Sequence, residues 1–256
     1  MATAQARQVY DATGQKAWFG EYTKTWKNNP CIGQNSGFPL KHMTGDRPYI
    51  LGQIKERVIF NPNHRAVSGE IHYSHNEIKE AQNLIGKLKD YIVIEPHVKK
   101  TFSQGNKDWG WHNWLKLVKE LRDYPLVQLR KDKDVKGLPG VKTLETNEFR
   151  VACAIVKMSR LFVGTDGGLH HAAAAYGIVD NELVYYETPA VVIWGGFSHP
   201  QMLGYQCHYN IRANDSPPCG SKVPCQHCKD MMANVPHDLV AKTIKQAYGE
   251  LSAELD

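Results

Sequence analysis

Val163-Gly164-Thr165-Asp166-Gly167-Gly168-Leu169-His170-His171-Ala172-Ala173-Ala174-Ala175 runs from an apolar segment through glycines into two histidines and an alanine run. The residues just ahead, Arg160-Leu161-Phe162-Val163, are short and β-prone, and alanine favours helix strongly, so the stretch reads as strand, tight turn and helix start. Gly164, Gly167 and Gly168 are expected to permit positive φ and close backbone approach. Amide N–H groups at such a helix start, with the helix dipole, suit a diphosphate, and His170 and His171 add donors. The same pattern also describes a helix start that only packs on a sheet.

Around this stretch, strands and helices alternate. Tyr91 to Ile94 is a compact apolar run of the kind buried in a parallel sheet. Helix is predicted near Trp111 to Arg122, strand at Leu126 to Leu129 and near Val141 to Thr143, helix from Glu148 to Met158, and strand at Ala190 to Trp194. Such alternation with short connections defines a doubly wound parallel sheet, whose ligands sit at the carboxyl ends of the strands. Residues 195–235 read as irregular, and Pro236 opens a terminal helix to about Leu251. Upstream, helix is predicted from Ala2 to Ala12, strand at Lys16 to Phe19, and loop over 21–47. Short strands follow at Pro48 to Leu51 and Arg57 to Phe60, and the capping box Ser74-His75-Asn76-Glu77 starts a helix running to about Leu88. A boundary near Asp90 divides the chain into a reduced N-terminal lobe, 1–90, and a larger C-terminal lobe, 91–256.

The 256 residues suffice for these two unequal lobes, and 42% apolar with 22% charged residues is the composition of a globular chain. No run approaches the roughly 20 apolar residues that cross a bilayer, and the first thirty residues do not resemble a signal peptide, so a cytoplasmic location is expected. A net charge of +5 suits anionic ligands, but it is spread along the chain and does not choose among nucleotides, membranes and nucleic acid. Four of the six cysteines fall in the last fifty residues. In a reducing compartment that favours free thiols or a metal over disulfides.

A second constellation follows the Tyr91 strand: Glu95-Pro96-His97-Val98-Lys99-Lys100, then Asn106-Lys107-Asp108-Trp109. Lys107, just ahead of a helix, is placed to neutralise a phosphate, with Lys99 and Lys100 as alternatives. A solvated loop lysine has the same local signature. Lys107-Asp108-Trp109 followed by Trp114-Leu115-Lys116-Leu117 resembles the K-x-W-x(n)-[FW]-x-x-L segment of glycosyltransferase family nine, the heptosyltransferase family. Asp166-Gly167-Gly168-Leu169-His170-His171-Ala172-Ala173-Ala174 resembles its D-[ST]-G-x-x-H-x-A-A motif. The resemblance covers about residues 91–251 and the first lobe only in part.

What the resemblance implies is an α/β GT-B-like fold of two Rossmann-like lobes, with a nucleotide sugar held mainly by the C-terminal one. Asp166, Gly168 and His171 match the family's donor-site positions, and Lys107 its phosphate-contacting lysine. Gly167 stands where a Ser or Thr is usual, leaving phosphate binding to backbone amides, His and Lys. The implied activity is inverting, metal-independent transfer of a sugar, a heptose in much of the family, from a nucleotide sugar to an acceptor hydroxyl. Acceptors would be a lipopolysaccharide-core or other glycan, with a modified nucleobase or small molecule also open; nucleic acid as such is not indicated. No cofactor is required, because preorganised N–H dipoles and a lysine stabilise the leaving diphosphate. The only Asp-x-Asp spacing, Asp132-Lys133-Asp134, reads as a charged turn.

The family's general base is an acidic residue after the first strand of the first lobe. Met1 to Arg7 resembles the helix that follows that strand, so strand, turn and base are expected to be missing. His64, Glu70, His72 and His75 are the substitute candidates, each equally readable as an exposed polar side chain. A catalytically impaired nucleotide-sugar-binding protein is the alternative reading. A dinucleotide-dependent epimerase would need a G-x-G-x-x-G fingerprint, which is absent. Cys219-x5-Cys225-x2-Cys228, with Cys207, His208 and His227 nearby, suits a structural zinc or a set of free thiols. Gly195-Gly196-Phe197, with Trp194 and His199, forms a further strand-end loop suited to a base or sugar contact, Trp194 reading equally as core.

Overall fold

The computed structural model describes residues 49–98, 103–131, 135–180 and 182–253. The elements predicted within residues 1–48, together with Lys99, Lys100 and Asp132 to Asp134, lie outside the described residues.

A six-stranded parallel sheet forms the centre, built from β4 (Ile92–Glu95), β5 (Leu126–Arg130), β6 (Lys142–Glu145), β7 (Leu161–Thr165), β10 (Ala190–Trp194) and β11 (His208–Arg212), in the order β11-β10-β7-β4-β5-β6. Successive side chains of these strands alternate between two buried faces. Val93, Val127, Phe162 and Val192 enter one core, while Ile92, Ile94, Leu161, Val163, Val191 and Ile193 enter the other. Both faces are covered by helices, which is why the strands read as continuous apolar runs. On the first face lie α1 (His75–Ile85), α3 (Phe149–Lys157) and α4 (Gly168–Ala174); on the second lie α2 (Trp111–Glu120) and α7 (His237–Ala253). Two smaller sheets complete the fold: the hairpin β1 (Ile50–Ile54) with β2 (Arg57–Phe60), and β3 (Glu70–Tyr73) with β8 (Tyr176–Val179) and β9 (Glu182–Tyr185). The result is the α/β, doubly wound, GT-B-like architecture expected, and no helix among the described residues is long and apolar enough to cross a membrane.

The capping box of Ser74 and Glu77 forms as predicted, and Gly86, at φ 63°, ends α1 before Leu88. The alanine run makes a shorter helix than its propensity suggests. Ala175 turns extended at ψ 150°, because Tyr176 N donates to Gly69 O and its strand pairs with β3. This pairing carries β3 and α1 into the large core. Ile71, Tyr73, Ala81 and Ile85 pack with Val93, Phe162 and Ala172, so the boundary expected near Asp90 runs through a shared core. Residues 195–235, expected to be irregular, contain α5 (Pro200–Leu203), β11 and α6 (Gln226–Ala233). β11 alternates polar and apolar residues as an edge strand does, which is a weaker signal than the apolar runs at the sheet centre.

Candidate functional site

The strand order reverses between β4 and β7: β5 and β6 lie to one side, β10 and β11 to the other. In an open parallel sheet such a switch point leaves a crevice outside the carboxyl ends of the two strands. Both sequence constellations open onto it. Glu95, ending β4, is in register with Gly164 of β7, and Asp166 follows directly.

Asp166 is buried and held from three sides. Lys107 Nζ lies 2.6 Å from its Oδ2, Ser198 Oγ donates to the same oxygen, and His170 Nδ1 lies 3.7 Å from Oδ1. Burial alone would raise the Asp166 carboxyl, but the Lys107 ammonium beside it holds it well below the usual carboxylate range. Lys107 is positioned by the residues around it. Its Nζ stands 4.8 Å from the centre of the Phe197 ring. Trp109, two residues on, is sunk in the core edge-on to Trp114, and its Nε1–H donates to Val235 O at 3.0 Å. An ammonium carries three N–H donors, and Asp166 engages only part of that capacity.

The two histidines differ. His170 is fully buried; Gly167 N–H donates to its Nδ1 at 3.0 Å, and its Nε2 faces Leu203 O at 3.3 Å, so it serves as a local brace. His171 is half-buried, and its Nδ1 is hydrogen-bonded to the Tyr205 hydroxyl at 2.7 Å. With the hydroxyl as donor, the ring proton sits on Nε2. Burial, with His170 beside it, drives His171 well below its ordinary pKa, so the ring is neutral at pH 7. At the far end of α4, the buried Lys157 donates to Ala173 O and Ala175 O at 2.8 and 2.6 Å and caps the short helix.

The glycines act differently from the expectation. None of Gly164, Gly167 and Gly168 has a positive φ. A Cβ on Gly168 would lie 2.8 Å from Phe149, and one on Gly164 would strike Phe162, so both are small for packing reasons. Gly167 is extended, at φ −163°, with no atom closer than 3.6 Å to a Cβ. The loop after β10 is likewise packing: Gly195 and Gly196 sit beneath Met232 and His227 of α6, and Trp194 is core, donating to Asn210 Oδ1. Phe197 and Ser198 are the residues of that loop that reach the site. Ser198 carries no motif, and its role was illegible before the strands were assembled.

The remaining candidates lie elsewhere. His72 Nε2 pairs with Glu70 Oε2 at 3.2 Å on β3, and exposed His75 pairs with Asp180 at 2.8 Å. His64 lies beside Tyr49, and its partial burial together with the adjacent Arg65 lowers its pKa. Cys219, Cys225 and Cys228 converge: Cys219 Sγ lies 3.7 Å from Cys225 Sγ and 3.0 Å from Cys228 Sγ. The short contact favours a thiolate on Cys219, with Cys228 keeping its proton. Cys207 and His208 do not join them. His208 is in register with Ala190 where β10 begins, whereas the triad adjoins Gly196 beyond its end.

No family model and no curated protein matches the chain. Solved structures do. ADP-heptose lipopolysaccharide heptosyltransferase II of E. coli superposes with a TM-score of 0.50 at 15% identity, over 77% of this chain and 56% of that one. A family 9 glycosyl transferase from Veillonella parvula superposes with a TM-score of 0.51 at 12% identity, over 72% and 54%. The fold is therefore heptosyltransferase-like, of the family-nine kind the two motifs resemble. The chain spans about half the length of these structures.

Proposed function

We propose that this chain binds a nucleotide sugar at the β4/β7 switch point and works as a glycosyltransferase, passing the sugar to an acceptor hydroxyl with inversion and without a catalytic metal. The observation that carries this reading is the Lys107–Asp166 pair, which joins the two motif-bearing loops at the crevice. Asp166 orients the ammonium and leaves N–H donors for phosphate oxygens. Neutral His171 offers Nε2–H to a second oxygen, and the amide of Gly168 lies in the turn between them, that of Gly167 being taken by His170 Nδ1. In the transfer, the acceptor oxygen forms a bond to the anomeric carbon as the bond to the diphosphate oxygen breaks, and the acceptor proton passes to a base. The charge that grows on the diphosphate is met by donors already in place, so little reorganisation is needed.

ADP-heptose is the donor in the name of one structural relative, which makes adenosine diphosphate the first ligand to test. The test is calorimetric titration of the full chain with nucleoside diphosphates, followed by mass spectrometry of acceptor mixtures incubated with the matching nucleotide sugar. Micromolar diphosphate binding with a transferred sugar mass is the expected result. Absence of binding across the nucleoside diphosphates overturns the reading, and binding without any transfer reduces the chain to a nucleotide-sugar-binding protein.

A further inference from the structure

Among the described residues, the cysteine loop is a chemically specialised feature that the donor site leaves unused, and its surroundings tie it to that site. Asn106, fully buried and adjacent to Lys107, directs its whole amide into this loop. Its Nδ2 donates to Ser221 O at 2.9 Å and to Val223 O at 2.8 Å, and its Oδ1 accepts from Cys225 N–H at 2.9 Å. A second arm leaves from the other end: Cys219 N–H donates to Gly196 O and Gly220 N–H to Phe197 O, one residue before the Ser198 that binds Asp166. Gly220, at φ 59°, also accepts Val58 N–H, and a Cβ there would collide with Val58 O, so only glycine lets the loop close on β2.

The three sulfurs lie within 4.8 Å of one another, carried by Cys219, Cys225 and the first turn of α6. A tetrahedral thiolate site with bonds of about 2.3 Å has sulfur–sulfur edges of about 3.8 Å. The 3.7 Å separation of Cys219 and Cys225 matches that edge, and the 3.0 Å separation of Cys219 and Cys228 is well short of it yet far longer than a disulfide bond of about 2.05 Å. His227 packs against Gly196, and among the described residues the cluster holds three ligands, which leaves the fourth position to a further group.

We propose that Cys219, Cys225 and Cys228 bind one thiophilic divalent transition-metal ion, zinc or iron, and that the loaded loop positions Lys107 through Asn106. All three sulfurs bind as thiolates, Cys225 and Cys228 giving up their protons to solvent as their metal–sulfur bonds form, and a divalent ion with three thiolates carries a net charge of −1. The metal is structural: it touches no phosphate and takes no part in transfer. Binding of the ion is independent of the donor reading, whereas the positioning role rests on it.

The experiment uses the full chain purified with reductant and without chelator. Elemental analysis should find about one ion per chain, and its identity separates zinc from iron. Cys225→Ser should lose it. Should that variant fail to fold, wild-type protein stripped of metal and given Co2+ should develop thiolate-to-cobalt charge-transfer absorption. Metal-free protein with three free thiols, or a Cys219–Cys228 disulfide, and no cobalt spectrum would overturn the site. For the positioning role, metal removal and Asn106→Ala should each weaken adenosine diphosphate binding about tenfold, Asn106→Ala keeping its metal. Unchanged affinity on metal loss overturns the positioning role. If wild-type protein binds no nucleoside diphosphate at all, the donor reading fails while the metal measurements still decide the site.

Discussion

Lys107 Nζ meets Asp166 Oδ2 at 2.6 Å across the point where the parallel sheet changes direction, one residue from the loop after β4 and the other from the end of β7. Each side chain supplies what the other needs: a buried carboxylate requires a counter-charge, and a phosphate-binding ammonium requires a fixed direction.

Removing the ammonium tests both halves of that relation. Lys107→Ala should weaken nucleoside diphosphate binding tenfold or more by calorimetry, since a charge-assisted bond contributes roughly 1.5–3 kcal/mol. The variant should also lose about 3 kcal/mol of stability in urea unfolding, the low end for breaking a buried pair, because Lys107 is 19% exposed. Wild-type affinity in Lys107→Ala would show that the ammonium faces no ligand.

Tyr205 is the hydrogen-bond partner of His171 Nδ1. Tyr205→Phe removes this hydroxyl and, with it, the bond that holds the ring proton on Nε2 when the hydroxyl donates. Diphosphate affinity should fall roughly three- to tenfold, in line with one neutral hydrogen bond of about 1 kcal/mol. The melting temperature should change little, which separates this effect from loss of fold.

The two neighbouring glycines should respond in opposite ways. Gly168→Ala drives a methyl against Phe149 and should cost about 1 kcal/mol, the low end for overpacking, because the half-buried Phe149 ring can shift. Gly167→Ser meets nothing close in an extended backbone and places a capping hydroxyl at the start of α4, so stability should stay within about 0.5 kcal/mol. Differential scanning calorimetry of the pair distinguishes a packing glycine from a permissive one.

Glu95 predicts a pH dependence. Burial at the end of β4 pushes its carboxyl up to about 8, from an ordinary value of 4.5. Between these values the unfolded chain has lost a proton that the folded chain keeps, so this group's contribution is fully present below 4.5 and is lost as pH rises through about 8. Glu95→Gln should melt with wild type at pH 5 and several degrees above it at pH 9. Parallel melting curves across that range would place Glu95 in water.

Sequence periodicity made the sheet centre legible because strands buried on both faces must be apolar throughout: Ile92 to Ile94 and Ala190 to Trp194 have no other stable place. Likewise Ser74 and Glu77 mark a helix start, since capping is a local exchange of hydrogen bonds. The strands of the small sheet, β3, β8 and β9, and the edge strand β11 escaped because their mixed residues form no continuous apolar run, and β3 and β8 find each other only across a long stretch of chain. The three thiols were visible as spacing and not as a cluster.

The stretch from Val163 to Ala175 by itself determined a strand, a turn and a helix start, since each depends on neighbours in sequence. It also placed Asp166 and His171 together on that turn. Tertiary structure alone decided that the turn lies at the switch point, that Lys107 and Ser198 close on Asp166, and that His170 is a brace while His171 pairs with Tyr205. It decided too that Gly164 and Gly168 are small for the sake of Phe162 and Phe149. The physical reason is the same in each case. Propensity and capping act over a few residues, whereas burial, ion pairing and steric fit are set by whichever strands and helices the sheet order brings alongside.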